Sequence, residues 1–116
     1  MTLGKTGEDT ARKFLEAKEF ILVEANYRFD RAETDLIMKN DNNKIILFVE
    51  VKTKASNRFS EPEDSVTHTK AKQILKSAEG FLSENEQYEE YEKRFDVVSL
   101  IYQKGKFEIK HFENIF

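Results

Sequence analysis

A chain of 116 residues is the size of one ordinary domain and too short for two well-buried ones, and its 39% hydrophobic residues suffice for a core. No run approaches the roughly 18–20 apolar residues that cross a bilayer. The lack of cysteine excludes disulfides and thiolate metal sites. With two histidines a multi-histidine zinc site is disfavoured, so a bound metal would be a hard ion on oxygen ligands.

The opening segment MTLGKTGEDTARKF lacks the apolar stretch of a secretory signal, and a cytoplasmic protein is expected. Residues from Gly4 to Lys18 read as a helix, because Ala11, Phe14 and Leu15 recur on one face. Phe20 to Phe29 is rich in strand formers, and Thr34 to Lys39 is a second strand. The cluster Asp41-Asn42-Asn43 is a turn. Ile45 to Val51 is nearly all apolar, as in a strand buried on both faces. A polar stretch from Thr53 to Asp64, containing Arg58 and Pro62, reads as a loop. Thr69 to Leu82 is a second helix, with Ala71, Ile74, Leu75, Ala78, Phe81 and Leu82 on one stripe. The acidic SENEQYEEYEK segment is a solvated helix end or connection, with Tyr88 and Tyr91 packing at the domain edge. Arg94 to Tyr102 is a fourth strand, Lys104-Gly105 a turn, and Lys106 to Phe112 a fifth strand. The order α-β-β-β-α-β-β predicts a single α/β domain over residues 1–116, a mixed sheet covered by two helices.

Side chains alternate across a strand, so Ile46, Phe48, Glu50 and Lys52 share one face of the third strand. Charges at the end of so apolar a strand are costly unless paired or bound to a metal. If the Asp41–Asn43 turn closes an antiparallel hairpin, Asp35 falls opposite Glu50 to within about one residue of register. Asp35 and Glu50 can then hold Mg²⁺ or Mn²⁺ and leave positions for water and a phosphate oxygen. Lys52 either orients the attacking water or stabilises the transition state. Glu8 extends the buried stripe of the first helix. Near that helix's start, the dipole would favour its ionised form, as it would for any acid in a first turn.

The net charge of −3 is unevenly spread. Lys52 to Lys76 holds six Lys/Arg against three Asp/Glu, while Glu79 to Asp96 holds two against seven. Lys54, Arg58, Lys70, Lys72 and Lys76 are positioned to follow a phosphate backbone, or else form a solvated loop and helix flank. His68 reads as a capping or surface residue, and Asp96, next to Arg94, as an ion-pair partner or a sheet-end residue. His111 has no evident partner.

Gly7-Glu8 with Ala11, Asn26-Tyr27-Arg28, Glu33-x-Asp35-Leu36-Ile37, Phe48-Val49-Glu50-Val51-Lys52-Thr53, Lys70 and Arg94-Phe95-Asp96-Val97 occur in one characteristic order. This pattern, spanning Gly7 to about His111, resembles the YraN-type family of bacterial proteins, related to archaeal Holliday-junction resolvases. The resemblance implies the restriction-endonuclease-like fold and the PD-(D/E)xK nuclease superfamily. It also implies a catalytic set of Glu8, Asp35, Glu50 and Lys52 with Mg²⁺. Thr34 stands where that family usually has an apolar residue, and Lys54 where it usually has Arg. The expected function is a metal-dependent endonuclease acting on DNA, with branched or repair intermediates as substrates and a homodimer for resolvase-like cutting. A nucleic-acid-binding accessory protein and a protein-interaction domain using the acidic face are the competing classes.

Overall fold

The computed structural model describes residues 3–54 and 68–115. Helix α1 (Leu3–Glu16) opens the chain and is followed by strands β1 (Ile21–Phe29), β2 (Ala32–Asn40) and β3 (Ile45–Lys54). Helix α2 (His68–Glu84) leads through a short 3₁₀ turn (Glu86–Tyr88) to β4 (Glu92–Gln103) and β5 (Lys106–Phe112). The α-β-β-β-α-β-β order read from the sequence is therefore the observed one. Its boundaries differ at the ends, the largest change being that β3 continues through Lys54. The rest of the predicted 53–64 loop, with Arg58 and Pro62, lies outside the described residues.

The five strands form one sheet in the order β1-β2-β3-β4-β5. β1–β2, β2–β3 and β4–β5 are antiparallel, and β3–β4 is parallel. A parallel neighbour cannot be reached by a tight turn, and α2 lies in the connection that brings β4 alongside β3.

Each face of the sheet is covered by one helix. On one side, Ala11 and Leu15 of α1 pack with Leu36, Met38, Leu47, Val49, Val98 and Leu100. On the other, Ala78 and Phe81 of α2 pack with Ile37, Ile46, Phe48 and Tyr88. The alternation of β3 sorts as expected, with Leu47 and Val49 toward α1 and Ile46 and Phe48 toward α2. Two glycines allow the helices to approach. A methyl group at Gly7 would lie 2.2 Å from Thr53 Oγ1, and one at Gly80 would lie 2.2 Å from the Phe29 ring.

Two assignments change. Leu75 is 41% exposed, because the buried stripe of α2 runs through Ile74, Ser77, Ala78 and Phe81 and leaves Leu75 to solvent. Ser77 fits that stripe because its hydroxyl bonds the Ile74 carbonyl and meets Thr34 Oγ1 at 2.5 Å. Tyr88 is not at the edge. It is buried, with its ring stacked on Phe81. No helix among the described residues is long and apolar enough to cross a membrane.

Candidate active site

The β2–β3 ladder places Leu36 opposite Val49, and the same register puts Asp35 opposite Glu50. At that step a side chain replaces the backbone pairing. Asp35 Oδ2 accepts the Val51 N–H at 2.8 Å. A change in strand geometry accompanies it. Tyr27 packs edge-on against Phe81 of α2, and its partner Thr34 meets Ser77 of α2. Two residues on, Leu36 belongs to the α1 side. Residues two apart in a regular strand share a face, so the strands are twisted between these pairs. The break falls at Asn26, with φ of 53° in the left-handed region, opposite Asp35. Asp35, two residues before Ile37 of the α2 face, is set by the β2–β3 register at the end of β3. The hydroxyl of Thr34 is satisfied by Ser77.

Glu50 is 5% exposed and follows Phe48 on the α2 face. Two ammonium groups reach its Oε1, Lys70 Nζ at 2.9 Å and Lys52 Nζ at 3.8 Å. Lys70 is thus part of the carboxylate cluster. Burial opposes its charge, yet Glu50 more than compensates, and its pKa is raised.

Burial also pushes the Asp35 carboxyl up, and the Glu50 carboxylate pushes it further. The Val51 N–H pulls back, Glu8 adds to the rise, Lys70 offsets it, and the balance stands at about 7. Glu8, half-buried on α1, is also raised by burial, against the hydrogen bond from Asn26 and with the help of Glu33, Asp9 and Glu50. The expected dipole stabilisation does not apply to it. The helix starts at Leu3 and its first turn holds no acid, whereas the dipole acts within the first turn. Glu8, Asn26 and Leu36 line a cleft of about 510 Å³ rimmed by Lys5 and Arg12.

Of the remaining candidates, Lys54 is half-buried at the end of β3 and Lys72 is exposed on α2. Lys76 is paired with Asp30 at 2.9 Å. Arg58 lies outside the described residues.

A second charged cluster surrounds Asp96, on the α1 face of the sheet. Arg94 Nη2 lies 2.9 Å and His111 Nε2 2.7 Å from Asp96 Oδ2, and the Asn114 N–H donates to Oδ1 at 2.9 Å. Lys18 Nζ lies 2.9 Å from His111 Nδ1. An ammonium only donates, so Nδ1 accepts and Nε2–H donates to Asp96. The ion pair expected for Asp96 is present, and His111 has the partner that the sequence did not reveal. Its signal was the Lys104-Gly105 turn, which fixes the β4–β5 register and pairs Val98 with His111. Among the described residues, Asp96, His111 and Glu113 alone form a metal-ligand triple with atoms all within 4.8 Å. Glu8, Asp35 and Glu50 are not drawn together that tightly. In the Asp96 cluster the cation is already supplied by Arg94, which also lies 3.3 Å from Glu113.

An antiparallel β-meander joined to a parallel fourth strand, with a helix on each face and acids at the end of the central strand, defines an α/β protein consistent with the restriction-endonuclease-like fold. The sequence profile described as "Uncharacterised protein family UPF0102" matches residues 7–100, and the chain belongs to that family, the YraN family. A UPF0102 protein of Flavobacterium psychrophilum is 36% identical, over 98% of this chain and 92% of its own length. One from Natranaerobius thermophilus is 42% identical over 97% and 95%, and one from Prosthecochloris aestuarii 39% over 98% and 92%.

Proposed function

We propose that this chain is a divalent-metal-dependent endonuclease that hydrolyses DNA phosphodiesters, with branched or repair intermediates as its substrate class. One observation carries the reading. Asp35, with its pKa pushed up to about 7, lies beside buried Glu50 in a cluster where Lys70 offsets only part of the rise.

The donors are all carboxylate oxygens, which suits Mg²⁺ or Mn²⁺. Such ions use one or two carboxylates and keep several waters. Asp35 and Glu50 would hold the ion directly, with Glu8 reaching it through a bound water. When bound, the ion makes its water more acidic and draws charge from the phosphate. Asp35 gives up its proton on binding. Lys70 neutralises Glu50 beforehand, so an internal cation is exchanged for an external one. Lys52 either orients the attacking water or stabilises charge on the phosphate in the transition state. Lys54 and Lys72, with Arg58, contact the DNA backbone. Resolution of a branched substrate needs two such sites, hence a homodimer.

The Lys70–Glu50 pair favours one second reading. A carboxylate already matched by a lysine at 2.9 Å suits a DNA-binding accessory protein with little catalysis. Cleavage of duplex, single-stranded and four-way DNA with Mg²⁺ or Mn²⁺ separates the two. The nuclease reading predicts cutting that falls on the order of 10³-fold or more in Asp35→Asn. If wild type and Asp35→Asn both fail to cut yet bind DNA equally, the accessory reading stands.

A further inference from the structure

β3 and β4 run in parallel from Ile45↔Glu92 to Lys54↔Ile101, so both point toward the end of the sheet that carries Glu50, Lys52 and Lys54. β4 continues two residues further, to Gln103, and turns back through Lys104 and Gly105, with Gln103 paired to Lys106. Both turn residues have positive φ, 53° and 76°. That is the sign pattern of a type I′ turn, whose twist matches its flanking strands. A stiff two-stranded ribbon therefore projects beyond the last paired residue of β3.

The ribbon's charge is opposite to that of the whole chain. From Ser99 to Phe112 there are three lysines, Lys104, Lys106 and Lys110, and one acid, Glu108, in a protein of net charge −3. Lys104 and Lys106 are exposed, while Glu108 accepts a hydrogen bond from Gln103 Nε2 at 3.0 Å. Tyr102 is 40% exposed and lies edge-on to Phe107, giving one side an aromatic surface. The basic character also continues toward the site. Lys52 pairs with Ser99 and Ser99 with Lys110, in one row across three strands.

We infer that the β4–β5 hairpin is a second DNA-contacting element that enters the major groove of a duplex arm beyond the cut site, with Lys104 and Lys106 on the flanking phosphates. The inference rests on the nuclease reading for the position of the cut. A two-stranded ribbon is what a groove about 12 Å wide admits, and this favours a duplex over a single strand. The reach follows from the register. Val97 lies beside Glu50, and the six steps from there to Gln103, at about 3.3 Å each, span roughly 20 Å. That equals about six base pairs at about 3.4 Å per pair.

The test is binding of the full chain, in Ca²⁺, to labelled DNA stem-loops with stems of about 5 and about 20 base pairs. Wild type should bind the long stem at least about tenfold more tightly. The double variant Lys104→Glu/Lys106→Glu should lose that gain, and the log–log slope of its affinity against salt should fall by about two, one for each phosphate contact. Lys104→Gln/Lys106→Gln should move the same way, and Lys104→Arg/Lys106→Arg should behave as wild type. Melting curves by circular dichroism confirm that the variants are folded. An unchanged salt slope in the Glu and Gln variants overturns the inference and leaves the nuclease reading intact. An equal loss on a single strand of the same length overturns the duplex assignment. If wild type binds neither Mn²⁺ nor any stem, the nuclease reading itself fails.

Discussion

Asp35 and Asp96 are both aspartates of the central strands, both desolvated, and their carboxyl groups move in opposite directions. Burial would raise Asp96, but the His111 N–H, the Arg94 guanidinium and the Asn114 N–H outweigh it and hold the carboxyl below its usual range. Burial raises Asp35, and its neighbour Glu50 adds to the rise. The desolvation is shared, so the partners decide the sign. Asp96 has its counter-charge built in and reads as structure. Asp35 lies among acids, and it is this excess of negative charge on which the proposed metal site rests.

That contrast is open to attack from both sides. The largest effect on stability should come from the satisfied cluster. Asp96→Ala removes the acceptor from Arg94 and from buried His111 and should cost about 3 kcal/mol in urea denaturation, the scale for breaking a buried pair. Metal affinity should be unchanged in the folded protein. A loss well under about 1 kcal/mol would mean that the cluster behaves like a surface pair.

The pH dependence should differ in sign between the two. The folded pKa of Asp35 is raised from 3.8 to about 7, so the stability this group contributes is fully present below about pH 4. It is lost as pH rises toward and through 7. Asp35→Asn, measured in EDTA, should lack that loss and be more stable than wild type at alkaline pH. Asp96 is depressed below 3.8, so its contribution is present above that value and disappears as pH falls through the folded pKa. Chemical denaturation of wild type and Asp35→Asn across the pH range reads both limbs. An Asp35→Asn curve parallel to wild type would remove the claim of strain at Asp35.

The smallest effect should come from Lys70. Its ammonium is about a third exposed and Lys52 stays 3.8 Å from the same buried Glu50 oxygen, so Lys70→Gln should cost about 1–2 kcal/mol of metal-free stability. Its consequence should instead be seen in Mn²⁺ affinity, which rises if Lys70 competes for Glu50. Unchanged affinity would assign Lys70 a purely structural role.

Much of this was legible in the chain, because it depends on local rules. The Asp41–Asn43 turn set the β2–β3 register, and the alternation of β3 set the facing of Glu50 and Lys52. What escaped depended on contacts between distant segments. Lys70 meets Glu50 only because α2 packs its first turn over the end of β3. Tyr88 is buried because the sheet and Phe81 cover it, although its neighbours in sequence are glutamates. Asn26 carried a usable signal, since Asn is a poor strand former in the middle of a strand-like run. Its backbone is left-handed, and its side chain hydrogen-bonds Glu8. Glu8 lies on the helix that the periodicity predicts, but its pKa is raised because the packed fold buries its carboxyl, which no local pattern shows.

The most direct measurement is calorimetric titration of Mn²⁺ into the full chain at neutral pH, beside folded Asp35→Asn and Asp96→Asn. The carboxylates at positions 35 and 50 should take up one ion per chain with release of about half a proton, Asp35→Asn should abolish that uptake, and Asp96→Asn should preserve it. Uptake surviving in Asp35→Asn but lost in Asp96→Asn would assign the cation to the opposite face of the sheet and contradict the account.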